Sequence, residues 1–141
     1  MDDPHRLDRF VAAQNPVIDT VRAELAAGAK RMHWMWFVFP QLAGLGRSQT
    51  ARFYVITSRD EALAYWEHPL LEPRLMECFK LLLPHAARGA ERVLGPIDAL
   101  KLRSCLTLFE QVAPSEPAVT KLLDDYSAGQ RDPATLALLA R

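Results

Sequence analysis

The sequence predicts an all-α protein, a single domain over residues 1–141 with seven or eight helices. Three patterns predict this class: capping residues followed by proline, glycines placed where helices end, and apolar residues recurring every three or four positions. A chain of 141 residues has the length of one domain. Half of the residues are apolar and 24% are charged, which is typical of a packed globular domain and argues against a disordered chain.

Local signals place the helices in order along the chain. A capping residue precedes proline at three points: Asp3-Pro4, Asn15-Pro16 and Asp132-Pro133. Ser58 and Glu61 have the spacing of a capping box, and Gly28 and Gly129 stand where helices end. The predicted helices cover residues 4–14, 16–27, 48–57, 58–67, 71–86, 97–112, 117–127 and 133–140, with a short helical turn near 89–94.

Two segments are ambiguous. Residues 52–57 have a composition that also suits a strand. Residues 32–39 are apolar on nearly every side, so periodicity cannot distinguish helix from extended chain. We expect the 32–39 segment to be buried centrally in either conformation.

One run of residues is recognisable as a family pattern. The run is Lys30-Arg31-Met32-His33-Trp34-Met35-Trp36-Phe37-Val38-Phe39-Pro40-Gln41, and it is followed by Gly44-Leu45-Gly46-Arg47-Ser48. Together these residues resemble the bacterial family catalogued as domain of unknown function 1810. Further support comes from Arg9-Phe10-Val11-x-Ala13-Gln14 and Leu100-Lys101-Leu102-Arg103-Ser104. The resemblance implies a small, mainly helical fold and no established activity. The label calpastatin sometimes given to members fits a disordered inhibitor, whereas this composition is that of a packed domain.

Composition limits the classes of partner. The chain carries 17 basic and 17 acidic residues, so nucleic-acid binding is not expected from charge. Its two cysteines, Cys78 and Cys105, are predicted to be buried free thiols. The polar N-terminus and the short apolar runs predict a cytoplasmic protein without a membrane span. Metal-binding spacings such as HExxH and CxxC do not occur, so neither a metal nor another cofactor is expected.

The loop Gly44–Ser48 could bind an anion. Two glycines allow close backbone approach, the Arg47 guanidinium could pair with the anion, and Ser48 could cap the helix that follows. The third glycine of a dinucleotide fingerprint is replaced by Gln49. The alternative interpretation is an ordinary turn closed by a serine cap.

The aromatic run suggests a surface for a planar ligand. Trp34 or Trp36 could stack on a planar group, and Lys30 supplies a neighbouring positive charge. His33 is the candidate general acid or base, because an unperturbed imidazole titrates near neutral pH. In the alternative, the aromatic rings form the core and His33 is hydrogen-bonded within it.

Several polar residues fall where helices predict apolar ones. Gln14 lies among the apolar residues of the first helix, and Lys101 lies beside the apolar stripe of helix 97–112. Lys101 either extends to solvent or faces an anionic ligand. The candidate ligand-binding residues are Gln14, Lys30, Trp34, Trp36, Gln41, Arg47, Ser48, Lys101, Arg103 and Ser104.

These residues lead to two functional hypotheses. In the first, the protein binds an anionic, nucleotide-like small molecule in an aromatic and basic pocket, and hydrolysis or group transfer would use His33. Arg47, Lys101 and Arg103 would hold the charge, while Gln14, Gln41 and Ser104 would orient the ligand. In the second, the protein is a non-enzymatic interaction or regulatory module, such as a homodimer with an exposed apolar patch.

Overall fold

The structure, a computed structural model, describes residues 3–44 and 52–140. Within these ranges the chain forms nine α-helices, a 3-10 helix and no strand, which confirms the all-α class. The α-helices are α1 (Asp8–Gln14), α2 (Ile18–Ala27), α3 (Met35–Val38), α4 (Arg59–Trp66), α5 (Leu71–Leu82), α6 (Ala90–Leu94), α7 (Pro96–Val112), α8 (Pro117–Ser127) and α9 (Pro133–Leu139). The 3-10 helix is Leu83–Arg88, and none of the described helices is long and apolar enough to cross a membrane.

Helix α7 is the centre of the fold. It packs against α4, α6, α8 and α9. Its predicted stripe is buried at Leu102, Cys105, Leu106 and Phe109 and half-buried at Val112. The buried apolar side chains of the described residues form one continuous cluster around it. Cys78 and Cys105 are both buried free thiols, as predicted. Burial raises the pKa of the Cys78 thiol to about 12, so this sulfur is held as an inert, protonated group.

Helix α1 begins later than the predicted position 4. Arg6 has a left-handed backbone with φ of 51°, which breaks the helix before its first turn. The Asp3 carboxylate nevertheless accepts hydrogen bonds from the backbone N–H groups of Leu7 at 2.8 Å and Asp8 at 3.0 Å. The capping signal at Asp3 is therefore present, but it acts on a helix that starts at Asp8.

The predicted helix over 48–57 is wrong at its C-terminal end. Arg52 and Phe53 are helical, but Ile56 is extended and forms a parallel bridge with Leu42. The Ile56 N–H donates to the Gln41 carbonyl at 2.8 Å, and the Ala43 N–H donates to the Ile56 carbonyl at 2.7 Å. The β-branched Ile56 is fully buried by this pairing, which favours extended chain there over helix propensity. Residues 45–51 lie outside the described ranges.

The ambiguous aromatic segment forms a single helical turn, α3. Trp34, Met35, Val38 and Phe39 are buried, as expected for a central segment. The expectation of burial is wrong for Met32, which is 57% exposed, and for His33, which is exposed. Residues 31–33 are all exposed, and a bend at residues 32 and 33 precedes α3.

The end of α2 is held close to the 3-10 helix. Gly28 closes α2 with φ of 69°, as its position predicted. A Cβ atom on Gly28 would lie 2.6 Å from the Nδ1 atom of His85. Glycine is therefore required here both for its left-handed backbone and for the close approach of the two segments.

Candidate functional site

The described residues form a shallow basic cavity where the N-terminal turn meets the segment after residue 51. Its volume is about 330 Å³. We call it the arginine cleft, and its lining residues are Pro4, His5, Arg6, Arg9, Arg52, Phe53, Thr57 and Glu61. Three guanidinium groups face one carboxylate in this lining, which leaves a formal surplus of two positive charges.

Arg9 is the structural centre of the arginine cleft. Its five N–H groups all have acceptors at 2.6–2.9 Å, namely the carbonyl oxygens of His5, Arg6, Phe53 and Val55 and the carboxylate of Glu61. A guanidinium has five donors, so none remains for a ligand. Arg9 therefore joins the N-terminal turn to residues 53–61, and it is a positioning residue rather than a binding group.

Glu61 completes this connection from α4. Its carboxylate accepts from the Thr57 N–H at 2.9 Å, from the Thr57 hydroxyl at 2.7 Å and from Arg9 at 2.9 Å. The Ser58 hydroxyl accepts from the Glu61 N–H at 3.0 Å, as a capping box predicts. The glutamate reaches back to Thr57 rather than to Ser58, so the capping pattern here also fixes the cleft.

Arg6 and Arg52 differ from Arg9 because both side chains are exposed. No ion pair among the described residues involves either of them. The left-handed backbone of Arg6 is stabilised by Arg9, whose Nη1 donates to the carbonyls of both His5 and Arg6. The folded chain thus holds Arg6 at the cleft in a conformation that costs roughly 1–2 kcal/mol.

Phe53 gives the cleft an aromatic wall. Its side chain is 50% exposed, and its ring packs edge-on against Tyr54 with centroids 4.8 Å apart. Tyr54 in turn lies against Phe10 and Phe37 of the core. The exposed ring is therefore fixed by buried neighbours, and its position suits contact with a flat ligand.

Four of the predicted ligand residues meet at a second place, which we call the paired-lysine cluster. It consists of Lys30, Trp34, Trp36, Asp98 and Lys101. The Asp98 carboxylate lies between two ammonium groups, 2.8 Å from Lys30 Nζ and 3.3 Å from Lys101 Nζ. Each ammonium also lies over an indole ring, with centroid distances of 4.8 Å for Lys30 on Trp34 and 4.1 Å for Lys101 on Trp36.

The inner half of the paired-lysine cluster is closed to a ligand. The Lys30 side chain is 6% exposed, and its Nζ atom also donates to the Met32 carbonyl at 2.6 Å. Trp34 is 1% exposed, so it cannot stack on a ligand. Lys101 is more open, with 21% of its side chain exposed, and Trp36 is half-buried. None of the described cavities is lined by these two residues.

Glu24 supports this cluster from α2. Its Oε1 atom accepts from the Arg31 N–H at 2.8 Å, the Met32 N–H at 3.1 Å and the Trp34 indole at 3.0 Å. Burial by itself would raise the pKa of Glu24. The two backbone N–H groups, the indole and the charge of Lys30 outweigh burial and hold that pKa below its ordinary value.

Arg103 and Ser104 lie near the start of α9. The Ser104 hydroxyl donates to Asp132 Oδ2 at 3.0 Å and to the Leu100 carbonyl at 3.2 Å. Arg103 Nη2 is 3.8 Å from Asp132 Oδ1. Asp132 is the cap of α9, since its Oδ2 also accepts from the Thr135 N–H. The Ser104 hydroxyl is therefore engaged in helix capping.

The two predicted glutamines are buried at other positions. Gln14 Nε2 donates to the Phe37 carbonyl at 2.7 Å and to the Tyr65 hydroxyl at 3.2 Å, and Gln14 Oε1 accepts from Arg74 at 3.3 Å. Gln41 is 4% exposed, and its Nε2 atom has no hydrogen-bond partner among the described residues. Gln14 therefore connects α1 with α3, α4 and α5.

His33 is exposed and lies outside the arginine cleft. No hydrogen bond between described residues involves its imidazole, so no neighbour selects the tautomer that acid–base catalysis requires. Arg47 and Ser48 lie outside the described residues. The predicted residues are thus divided among several places rather than gathered around one cavity.

Sequence reasoning missed Arg6, Arg52 and Phe53. Arg6 precedes α1 and Arg52 follows α3. The Arg9 hydrogen bonds and the contact between the Phe10 and Tyr54 rings bring their segments together. One signal was available: Arg52 and Phe53 follow closely after the predicted anion-binding loop Gly44–Ser48. Within the described ranges, no group of three or more His, Cys, Asp or Glu side chains could hold a metal ion.

Comparison with known proteins gives two matches. Residues 4–139 match the model of the family described as "Protein of unknown function (DUF1810)". The crystal structure of the conserved hypothetical protein Rv1873 from Mycobacterium tuberculosis is 50% identical, covers 99% of each chain and superposes with a TM-score of 0.96. No curated protein matches the chain.

Proposed function

Since the chain belongs to the DUF1810 family, whose description assigns no function, we propose its function from the geometry: it binds an anionic, nucleotide-like small molecule in the arginine cleft. The main support is that Arg6 and Arg52 line one cavity. Both side chains are exposed, and neither forms an ion pair with a described residue. Guanidinium groups with free donors bind phosphate through paired hydrogen bonds. Arg9 and Glu61 hold the two segments that carry them.

The aromatic wall favours a nucleotide over a free phosphate. A phosphate bound between Arg6 and Arg52 leaves the half-exposed Phe53 ring beside it in the same cavity. Stacking of a base on an aromatic ring contributes roughly 1–3 kcal/mol in single-stranded nucleic-acid complexes. A ligand with both an anion and a flat ring therefore uses more of this cavity than either part alone.

The paired-lysine cluster is a less suitable site for the same ligand. Its two ammonium groups share Asp98, so its formal surplus is one positive charge rather than two. The cation that remains open, Lys101, already lies over the Trp36 ring. Lys101 and Trp36 are thus the alternative binding site, and titrations of Lys101→Gln distinguish it from the arginine cleft.

The proposal is for binding, without an assigned reaction. His33 is the acid–base group that the sequence predicts for hydrolysis or transfer, and it does not line the cleft. His5 does line the cleft, and no other described histidine is in that lining. A turnover assay on the bound nucleotide, with His5→Ala and His33→Ala, extends the binding test to catalysis.

Calorimetric titrations test the proposal with adenosine, inorganic phosphate, ribose 5-phosphate, AMP and ADP. We expect affinity to rise with phosphate charge and with the base, and adenosine to bind most weakly. Arg52→Gln and Arg6→Gln should each weaken ADP binding about tenfold, because hydrogen bonds to charged groups contribute roughly 1.5–3 kcal/mol. Lys101→Gln is the matched control, and its ADP affinity should stay at the wild-type value.

Three results would contradict the proposal. The first is the absence of binding by any phosphate-containing probe, and the second is equal binding of adenosine and ADP. The third is a loss confined to Lys101→Gln, which would move the site to the paired-lysine cluster. Blank titrations with a dimeric mass in light scattering would favour the interaction module, whose surface would include the exposed Ile97 and Leu100 side chains, 69% and 59% exposed.

A further inference from the structure

A separate cavity of about 300 Å³ lies between α6, α7 and the end of α8. It shares no lining residue with the arginine cleft. Its polar lining includes Glu91, Arg103, Ser127 and Gln130, and its apolar lining includes Ala99 and Leu100. The volume is at the lower end of the roughly 300–1,000 Å³ found for ligand sites, so the cavity has room for a small molecule.

Arg103 lines this cavity, and its guanidinium makes no hydrogen bond to another described residue. Its Nε atom is buried without a partner among the described residues. Its ion-pair neighbour, Asp132, is 3.8 Å away, which is beyond hydrogen-bonding distance. Asp132 is held instead by the start of α9, because its Oδ2 accepts from Ser104 and from the hydroxyl and N–H groups of Thr135. The guanidinium is therefore positioned but not saturated by protein acceptors.

Glu91 brings the opposite charge to the same cavity. Its side chain is exposed, and no ion pair among the described residues involves it. Glu91 and Arg103 therefore line one small cavity without neutralising each other. Such a pair is complementary to a ligand that carries a negative and a positive charge together.

We propose that this cavity binds a free apolar α-amino acid. Arg103 binds the carboxylate through the exposed part of its guanidinium, and 27% of this side chain is accessible. Glu91 binds the ammonium group. Ala99 and Leu100 contact the ligand side chain, which accounts for a leucine that is 59% exposed in the free protein. Ser127 and Gln130 supply further hydrogen-bonding groups at the rim.

The test compares three ligands: L-leucine, N-acetyl-L-leucine, in which a neutral amide replaces the ammonium, and L-leucinamide, in which a neutral amide replaces the carboxylate. Calorimetry or ligand-observed NMR should show that the wild-type protein binds L-leucine about tenfold more tightly than either derivative, since each lacks one charge-assisted hydrogen bond. Glu91→Gln should remove the preference over N-acetyl-L-leucine. Arg103→Gln should remove the preference over L-leucinamide.

Arg92→Gln is the matched control, because Arg92 is exposed, adjacent to Glu91 and absent from the cavity lining. It should bind L-leucine like the wild type, as should Arg52→Gln in the arginine cleft. Glu91 is also exposed, so we expect Glu91→Gln to keep the fold. If Arg103→Gln is destabilised, the binding measurements on Glu91→Gln still test the proposal. The proposal is overturned when leucine, isoleucine, valine and methionine all fail to bind at millimolar concentration, or when the three leucine ligands bind equally.

Discussion

The arginine cleft and the paired-lysine cluster both combine basic and aromatic side chains, but they use their charges differently. In the paired-lysine cluster, one carboxylate lies between two ammonium groups and each ammonium covers an indole. In the arginine cleft, one arginine is saturated by five acceptors, while two others remain exposed. In the paired-lysine cluster both cations are paired within the protein, whereas in the arginine cleft two cations have no ion-pair partner among the described residues.

From this difference we expect an anion to bind where guanidinium donors remain free, rather than where positive charges are merely numerous. Lys30 and Arg9 are both nearly buried, and both connect distant parts of the chain. Neither has spare hydrogen-bonding capacity comparable to that of Arg6 or Arg52. We therefore expect substitutions of Lys30 and Arg9 to affect stability, and substitutions of Arg6 and Arg52 to affect binding.

The largest expected effect is on stability, in Arg9→Ala. This change leaves the Glu61 carboxylate, which is 3% exposed, without its cation and leaves the carbonyl groups of His5, Phe53 and Val55 without their donor. Removing one member of a buried ion pair costs about 3–5 kcal/mol. Urea unfolding should show a loss of this size in Arg9→Ala. Arg22→Ala, at an exposed pair with Glu77, is the control and should lose less than about 1 kcal/mol.

A smaller effect should separate the two lysines that share Asp98. Lys30→Met removes the buried, shorter ion pair and should lower the free energy of unfolding by about 2 kcal/mol. Lys101→Met removes the longer, more exposed pair and should lower it by about 0.5–1 kcal/mol. Equal losses of unfolding free energy in the two variants would show that the Lys30 and Lys101 ion pairs with Asp98 do not differ in strength.

The smallest effect is on pH dependence and concerns Glu24. Its folded-state pKa lies below the unfolded value of 4.5, so its ionised form stabilises the fold above that pH. This contribution is lost as the pH falls through the folded-state pKa. The stability difference between the wild type and Glu24→Gln should therefore be constant near neutral pH and should shrink below about pH 4.5. A difference that grows with acidification would contradict the three hydrogen bonds assigned to this carboxylate.

Most of the helical fold could be predicted from the sequence, because its signals are local. Gly28 at the end of α2, Asp132 as the cap of α9 and the apolar stripe of α7 all act within a few residues. The errors arise where a distant segment decides the outcome. Ile56 is extended because it pairs with residues 41–43, and no pattern within residues 48–57 indicates that partner.

The candidate site was less accessible to prediction for the same reason. The sequence predicts an anionic, nucleotide-like ligand, and Lys30, Trp36 and Lys101 are among the residues that it proposes to bind this ligand. It does not reveal that Asp98 neutralises the lysines, since Lys30 and Asp98 are far apart in the chain. Nor does it reveal that Arg9 fixes the two segments carrying Arg6 and Arg52.

The most direct test of the central claim is an NMR titration of the wild-type protein with ADP, observing backbone amides and tryptophan indoles together. Binding in the arginine cleft should shift the amide signals of Arg6, Phe53 and Tyr54 and leave the indole signals of Trp34 and Trp36 unchanged. Movement of the Trp36 indole signal, with the Phe53 and Tyr54 amides unchanged, would place the anion at Lys101 and contradict the account.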